Sequence, residues 1–518
     1  MSALRPRYPL HHWLHKERQR LIMLLLGALV GMEFLENGMF VFASSHILGG
    51  VGAAPQEFAQ VQAAYAIGSM LMIALQQWLT RHFGYRRYLL LALLVFGVGD
   101  MASALSDTIG QLTAARLVQG MGGGAFFLST RVLIPLLFAP ALRPAASRHF
   151  MLSIFGVGMI APVLAAWAVE EWGWRFVFWS VLPLIPLLAL GVRLLLPPHL
   201  GRSSERVRWS LAPLLLFALA IGCVQWGFSE ARYEMFDRPE VLALVVMAGL
   251  LLLGLFGLHQ WKHDEPLLHL RDLTHPGFLA GMALYALYYF IVNFSNYLFP
   301  QFAEQAMGLS LATAGWLNAF SALVSLLGAV VYLRYSAKVL DKRPLMMAGC
   351  IVMAFSAAWL ALLPPGARFT AMLGPLAIKG LFGVMMVLPV AGLTWRALDA
   401  KHFAKGYQSK NLMRQLVGSL ASAVAAIALA DGRFAIYGDL ASRLTPDRPA
   451  ATHWLATVQA QFEHMGLPAA QAHGAALAQM SAVVNQQALF MACQQLYLWV
   501  AAVALAAGVI VMVQKKLM

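Results

Sequence analysis

The chain is 518 residues long, 60% hydrophobic and only 12% charged, with a mean hydropathy of +0.68. Soluble domains carry about 25% charged residues, so this composition excludes a soluble globular protein and describes one that crosses a membrane many times; apolar runs long enough for spanning helices, given below, make it all-α. A formal net charge of +14 would suggest nucleic acid in a soluble domain; here the basic residues sit in short loops between apolar stretches, where they set topology, and no nucleic-acid partner is expected.

A basic N-terminal segment, 1–20, opens the chain with Arg5, Arg7, Lys16, Arg18 and Arg20. Its His11, His12, Trp13 and His15 read as an interfacial anchor on the cytoplasmic side. Fourteen apolar segments follow, near 21–46, 58–80, 88–106, 109–138, 147–169, 173–196 and 209–229, then 240–261, 277–299, 310–334, 344–363, 369–395, 408–430 and 488–513. A helix needs about 20 residues to cross a bilayer core. The first segment is too long and too acidic for a cleavable signal peptide.

Loop charge alternates along the chain. One side receives Arg81, Arg86 and Arg87, then Arg143 and Arg148, then Arg202, Arg206 and Arg208. The same side receives Lys338, Lys342 and Arg343, then Lys401, Lys405 and Lys410, and finally Lys515 and Lys516. The other side holds Asp107, Glu170 and Glu171, the acidic loop from Glu230 to Glu240, Glu304, and the segment after Asp431. The positive-inside rule then places both termini in the cytoplasm, which requires an even number of spans. Cys223, Cys350 and Cys493 lie in separate spans, with no disulfide framework or metal-ligand spacing. The long loop 431–487 contains Pro446, Pro449 and Pro468 and has helical apolar spacing from His453 to Phe462. A helix lying on the membrane or a partner fits that pattern, and so does a solvated loop.

The chemistry gathers in the first span, from Leu21 to Ile47, where Glu33 and Glu36 lie three apart on one helical face with Asn37 beside them. A carboxylate at mid-membrane costs about 3 kcal/mol or more on insertion scales, and two so close cannot both ionise easily. That is the chemistry of a proton-coupling site; an ion pair with a buried arginine, made for packing, is the other reading. Arg116 in the fourth span needs an anion, for which these carboxylates are candidates. Gly120, Gly122, Gly123 and Gly124 allow close helix approach. Gly156, Gly158, Ala161, Pro162, Ala165 and Ala166 give the fifth span a small-residue face that suits either close packing or a hinge. Tyr285, Tyr289, Asn293 and Asn296 form one polar and aromatic stripe in the ninth span, a ligand surface or a packing seam. Gln119, Arg131 and Lys379 join them as expected cavity residues, the cations favouring an acidic substrate. Asp100 is expected at the solvated outer edge of span three.

Several of these segments resemble one family. Arg116–Leu117–Val118–Gln119–Gly120–Met121–Gly122–Gly123–Gly124 resembles the fourth-helix signature of the major facilitator superfamily. Leu35–Glu36 followed by Ala43 to Ile47 is similar to the first-helix motif of its fourteen-helix drug:proton antiporter branch, the EmrB/QacA type. Further matches are Trp174 to Phe178 with Pro183, Lys379–Gly380 before Pro389, Arg414 to Ser419, and Val484 to Ala488. The chain departs from the family pattern at Gln77 and Arg81 in the loop after span two, where Gly84, Arg86 and Arg87 remain. It departs again at Ala161–Pro162 and Ala165–Ala166 in span five.

The resemblance implies a major facilitator fold: a six-helix bundle at 21–196, two additional central helices at 197–276, and a second six-helix bundle at 277–518 that includes the extracytoplasmic loop 431–487. It implies a proton-coupled exporter of small amphipathic or aromatic compounds in a bacterial inner membrane, not an enzyme, driven by the proton gradient without a cofactor. Glu36, Glu33 and Arg116 would couple protons. Gly84, Arg86, Arg87, Gly156 and Pro162 would form the conformational switch. Membrane lipid and a small-molecule substrate are the expected partners, and family members of this kind imply a periplasmic adaptor and an outer-membrane channel. Rival readings are proton-coupled uptake of an organic anion and a non-transporting membrane receptor.

Overall fold

The computed structural model describes residues 9–202, 211–263, 266–335, 341–396, 398, 402–445 and 447–514. Arg5, Arg7, Arg206, Arg208, Lys338, Lys401, Pro446, Lys515 and Lys516 lie outside them, as do the side chains of His11, His12, Trp13, His15 and Lys16. Fourteen helices among the described residues are long and apolar enough to span a membrane. They are α1 Glu17–Phe42, α2 Phe58–Phe83, α3 Tyr85–Ala104, α4 Ile109–Leu137, α5 Arg143–Trp172, α6 Phe176–Leu195 and α7 Ala212–Glu230. The second seven are α8 Pro239–Lys262, α9 Pro276–Ala306, α10 Leu311–Tyr335, α11 Arg343–Ala361, α12 Phe369–Trp395, α13 Phe403–Ser442 and α14 Ala469–Val513.

Small residues decide which helices touch. A Cβ placed on Gly120 or Gly124 would strike the carbonyls of Tyr65 or Ser69 on α2, and one on Gly122 would strike α3 at Phe96. The glycines of α4 thus let two neighbours lie against its backbone, the route to close helix packing in lipid. Gly84, between α2 and α3, has a φ of +80° that residues with a Cβ rarely adopt. Its turn is held by Tyr85 N–H donating to the Leu200 carbonyl at 2.8 Å, which ties the α2–α3 corner to the chain leaving α6. Arg86 is half-buried and Arg87 exposed at this corner.

Helices α1 to α6 pack among themselves, as do α9 to α14; α5 against α10 and α2 against α13 join the two groups, and α7 with α8 lies beside α2. At the α5–α10 crossing the Pro162 carbonyl lies 2.8 Å from where a Gly315 Cβ would sit. Ala161 sits against Gly38 of α1, and Ala165 and Ala166 are buried. Gly156, by contrast, has open space where a side chain would go. Pro162 therefore lies in a packed seam, while Gly156 is not held by contact.

The segment 431–487 departs from its expected form as a long loop. Helix α13 has 40 residues and α14 has 45; at 1.5 Å per residue each is about 60 Å or more, twice the thickness of a bilayer core. The segment Pro449–His464 between them is a helix that folds back on α14. Its Trp454 and Phe462 are half-buried and Val458 is buried. The apolar face expected to meet a partner is thus largely used within the chain. Arg433 donates to Asn485 at 2.6 Å and pins the two long helices together.

Candidate functional site

Helix α1 is apolar enough to run through the middle of the molecule, and its two acids are almost completely buried there. They do not share one site. Glu36 Oε1 accepts from Arg116 Nη1 of α4 at 2.5 Å, with both side chains at 0% exposure. Glu33 Oε1 accepts instead from Arg414 Nη2 of α13 at 2.9 Å. The first pair lies within the α1–α6 group; the second crosses to the α9–α14 group. Three residues along one helix therefore separate a local ion pair from one that ties the two halves together.

The Glu36 pair belongs to a longer chain of contacts. Arg116 Nη2 donates to Asn37 Oδ1 at 3.0 Å, and its guanidinium lies 4.0 Å from the Phe40 ring centre and 4.5 Å from that of Tyr65. Arg116 Nη1 also donates to Gln119 Oε1, and Gln119 Nε2 donates to Asp100 Oδ1 at 2.8 Å. The expectation of a solvated edge for Asp100 is corrected: it is 0% exposed and ends a polar chain running from α1 through α4 to α3. Gly99 makes this possible, since a Cβ there would collide with the backbone of Gln119. Glu33 Oε2, Glu36 Oε2 and Asp100 Oδ2 are buried without a hydrogen-bond partner. Arginine cannot give up its proton, so these carboxyl oxygens are the places in the network where one can be taken up.

A second cluster sits toward the face that carries the N-terminus. Lys410, expected in a loop, is instead buried within α13, one turn before Arg414. Its ammonium lies 4.8 Å from the ring of Phe127, 4.9 Å from Tyr285, 5.2 Å from Tyr407 and 5.3 Å from Tyr289. Arg131 is half-buried, donates to Ser147 at 2.8 Å and faces the rings of Phe150, Phe403 and Tyr407. Tyr285 and Tyr289 stack at 6.0 Å and 11°. Asn293 donates to the Tyr289 carbonyl at 2.7 Å, which completes the lower part of the stripe. Asn296 is exposed, and Lys379 is half-buried over Phe299 at 5.3 Å, so neither joins this cluster.

Arg414, Lys410 and Asp100 were the residues that sequence reading left out of the site. Arg414 and Lys410 stand four apart, hence on one face of an apolar helix, and an Arg in such a helix requires an anion. Asp100 follows Gly97–Val98–Gly99 inside a span, so an acid beside small residues was the available signal.

The two halves also meet at the opposite face. His46, in the short helix Ser44–Gly50 that follows α1, contacts Glu304 of α9 at 2.7 Å. Ala312 N–H donates to Glu170 at 2.9 Å, and Phe58 packs on Tyr297 at 4.8 Å between ring centres. On the N-terminal face Gln77, one of the departures from the family motif, donates to Gln408 of α13 at 2.8 Å.

A family model described as Major Facilitator Superfamily matches residues 25–422. The chain is 22% identical over 447 residues to Multidrug export protein EmrB of Escherichia coli (strain K12), covering 86% of each chain. It is 20% identical over 441 residues to the uncharacterized MFS-type transporter YhcA of Bacillus subtilis (strain 168), covering 85% of this chain and 81% of that one. A solved structure described under substrate recognition in proton dependent oligopeptide transporters matches with a TM-score of 0.61 and 14% identity, covering 95% of this chain and 97% of that one. That likeness speaks for the fold alone.

Proposed function

The chain belongs to the Major Facilitator Superfamily and is a multi-pass membrane transporter; we propose that it exports small amphipathic or aromatic compounds across a bacterial inner membrane in exchange for protons, by alternating access. Export is the activity in the printed name of the E. coli relative. The loop charges support cytoplasmic termini. In this reading 21–196 and 277–518 are the two moving bundles, and 197–276 supplies the two additional helices.

The observation that carries the coupling is the Glu33–Arg414 pair between α1 and α13. A proton on Glu33 removes the charge that holds Arg414 and loosens one tie between the bundles. A proton on Glu36 frees Arg116 in the same way within its own bundle. Gln119 gives Asp100 a hydrogen-bonded connection to that pair. The driving force is of the right size: an elementary charge crossing 100 mV yields about 2.3 kcal/mol, and each pH unit adds about 1.4 kcal/mol. Together these match the several kcal/mol at stake in separating a buried ion pair. Gly84, Arg86 and Arg87 at the α2–α3 corner, with Gly156 and Pro162 in α5, are the proposed switch. Because α13 and α14 run well past the bilayer, the projecting ends of these two helices, rather than the apolar face of Pro449–His464 that packs on α14, are the proposed site for a periplasmic adaptor leading to an outer-membrane channel.

Purified protein in vesicles with an imposed pH gradient tests the coupling. Wild type should move substrate against its gradient when the trans side is acidic. Glu36→Gln and Glu33→Gln should each remove the dependence on the pH gradient while the protein still folds. Wild-type rates with an unchanged pH response in both variants would overturn the assignment.

A further inference from the structure

The charges in the middle of the molecule do not cancel. Glu33 is taken by Arg414 and Glu36 by Arg116, while Asp100 meets only the Gln119 amide. Lys410 is left with no acid and no hydrogen-bond acceptor among the described residues, although only 3% of it is exposed. Its charged neighbours, Arg131 and Arg414, carry the same sign. Three cations thus share one set of rings: Phe127 lies 4.8 Å from the Lys410 ammonium and 4.5 Å from the Arg414 guanidinium, and Tyr407 lies 5.2 Å from Lys410 and 5.7 Å from Arg131.

Ring faces attract a cation but do not neutralise it. A buried ammonium that meets only ring faces is costly, and no acid among the described residues offsets that cost. The rings come from both sides of the interface: Phe127 is on α4, whereas Tyr285, Tyr289 and Tyr407 are on α9 and α13. Any motion that parts α4 from α13 withdraws Phe127 and uncovers the ammonium.

We propose that Lys410, backed by Arg131 and Arg414, is the binding site for the acidic group of an aromatic organic anion, whose ring takes the place of Phe127 against the tyrosines. This deepens the transport reading above by naming the substrate class, and it rests on that reading for the motion that opens the site. The cluster lies toward the face carrying the N-terminus, because α4 ends and α13 begins there. In an exporter with cytoplasmic termini, that is the face from which substrate enters.

Equilibrium binding to the purified full-length chain in detergent, without any gradient, tests the site. The probes are 2-naphthoate and its matched cation, 2-naphthylmethylammonium. Wild type should bind the anion at least about tenfold more tightly than the cation, a difference of about 1.4 kcal/mol. Lys410→Met should weaken anion binding by at least about tenfold, and Lys410→Arg should restore most of it. Lys410→Met should also raise the unliganded melting temperature, because a buried lysine without an acid partner is costly whether it keeps its proton or gives it up; 2-naphthoate should raise the melting temperature of wild type and not that of Lys410→Met. Tighter binding of the cation, unchanged anion affinity in Lys410→Met, or anion binding weaker than about 1 mM in wild type would each overturn the proposal. Loss of pH-driven transport in vesicles, with anion binding still tracking Lys410, would instead count against the coupling reading and leave this one standing.

Discussion

Arg116→Ala removes a fully buried guanidinium from a fully buried carboxylate and also strips Asn37 and Gln119 of their donor. Breaking a buried pair from one side costs about 3–5 kcal/mol, because the remaining charge is stranded. Glu36 has an escape that caps the loss, namely taking up a proton. For an ordinary carboxyl value near 4.3, at 1.36 kcal/mol per unit, that uptake costs about 3.7 kcal/mol at pH 7 and about 2.3 kcal/mol at pH 6. The stranded carboxyl binds its proton in the folded state and not in the unfolded one, so the variant gains stability relative to wild type as pH falls. Reversible denaturation in mixed micelles at the two pH values should show both the loss and its decline. Adding Glu36→Gln to Arg116→Ala should recover about 2 kcal/mol at pH 7, since no stranded charge remains. Strict additivity of the two changes, within about 0.5 kcal/mol, or a loss that does not vary with pH would refute the pairing as the source of the energy.

Asp100→Asn keeps an oxygen for Gln119 to donate to, so folding should persist while the pH profile of vesicle transport changes; an unchanged profile would remove Asp100 from the proton path. The hydrogen bond to Glu304 raises His46 above its ordinary value of 6.5, with burial opposing and the charges of Glu304 and Glu170 assisting. The tie between the short helix after α1 and α9 at this face is therefore fully present below about 6.5 and is lost as pH rises through the raised value. Spin labels across the face should show it opening on that rise, and opening on acidification instead would contradict the assignment. Gly120→Ala, whose Cβ meets the Tyr65 carbonyl, should cost at least about 2 kcal/mol. Gly156→Ala, with open space around it, should instead stabilise by up to about 1 kcal/mol, and micelle denaturation that found the reverse order would break the packing argument.

The sequence by itself determined the number and order of the spans, the alternation of charge between successive loops and the residues that had to find partners. These follow from local quantities: hydrocarbon must be matched by about 20 apolar residues, and a charge in that environment needs a stated reason. Glu33, Glu36, Arg116 and the glycines of α4 were legible on those grounds. Tertiary structure decided who pairs with whom. Glu33 and Glu36 share a helical face, yet one faces α13 and the other α4, because the seam between the halves runs between them. Position along the chain placed Lys410 among loop cations and Asp100 at an edge. Helix α13 actually begins at Phe403, which draws Lys410 inside, and the contact of Gly99 with Gln119 brings Asp100 under α4. The segment 431–487 follows the same rule: its helical periodicity marks a helix but cannot say which surface covers it, and α14 does so. Hydropathy measures how much a residue costs in lipid; only the crossing of helices fixes which side chain offsets that cost.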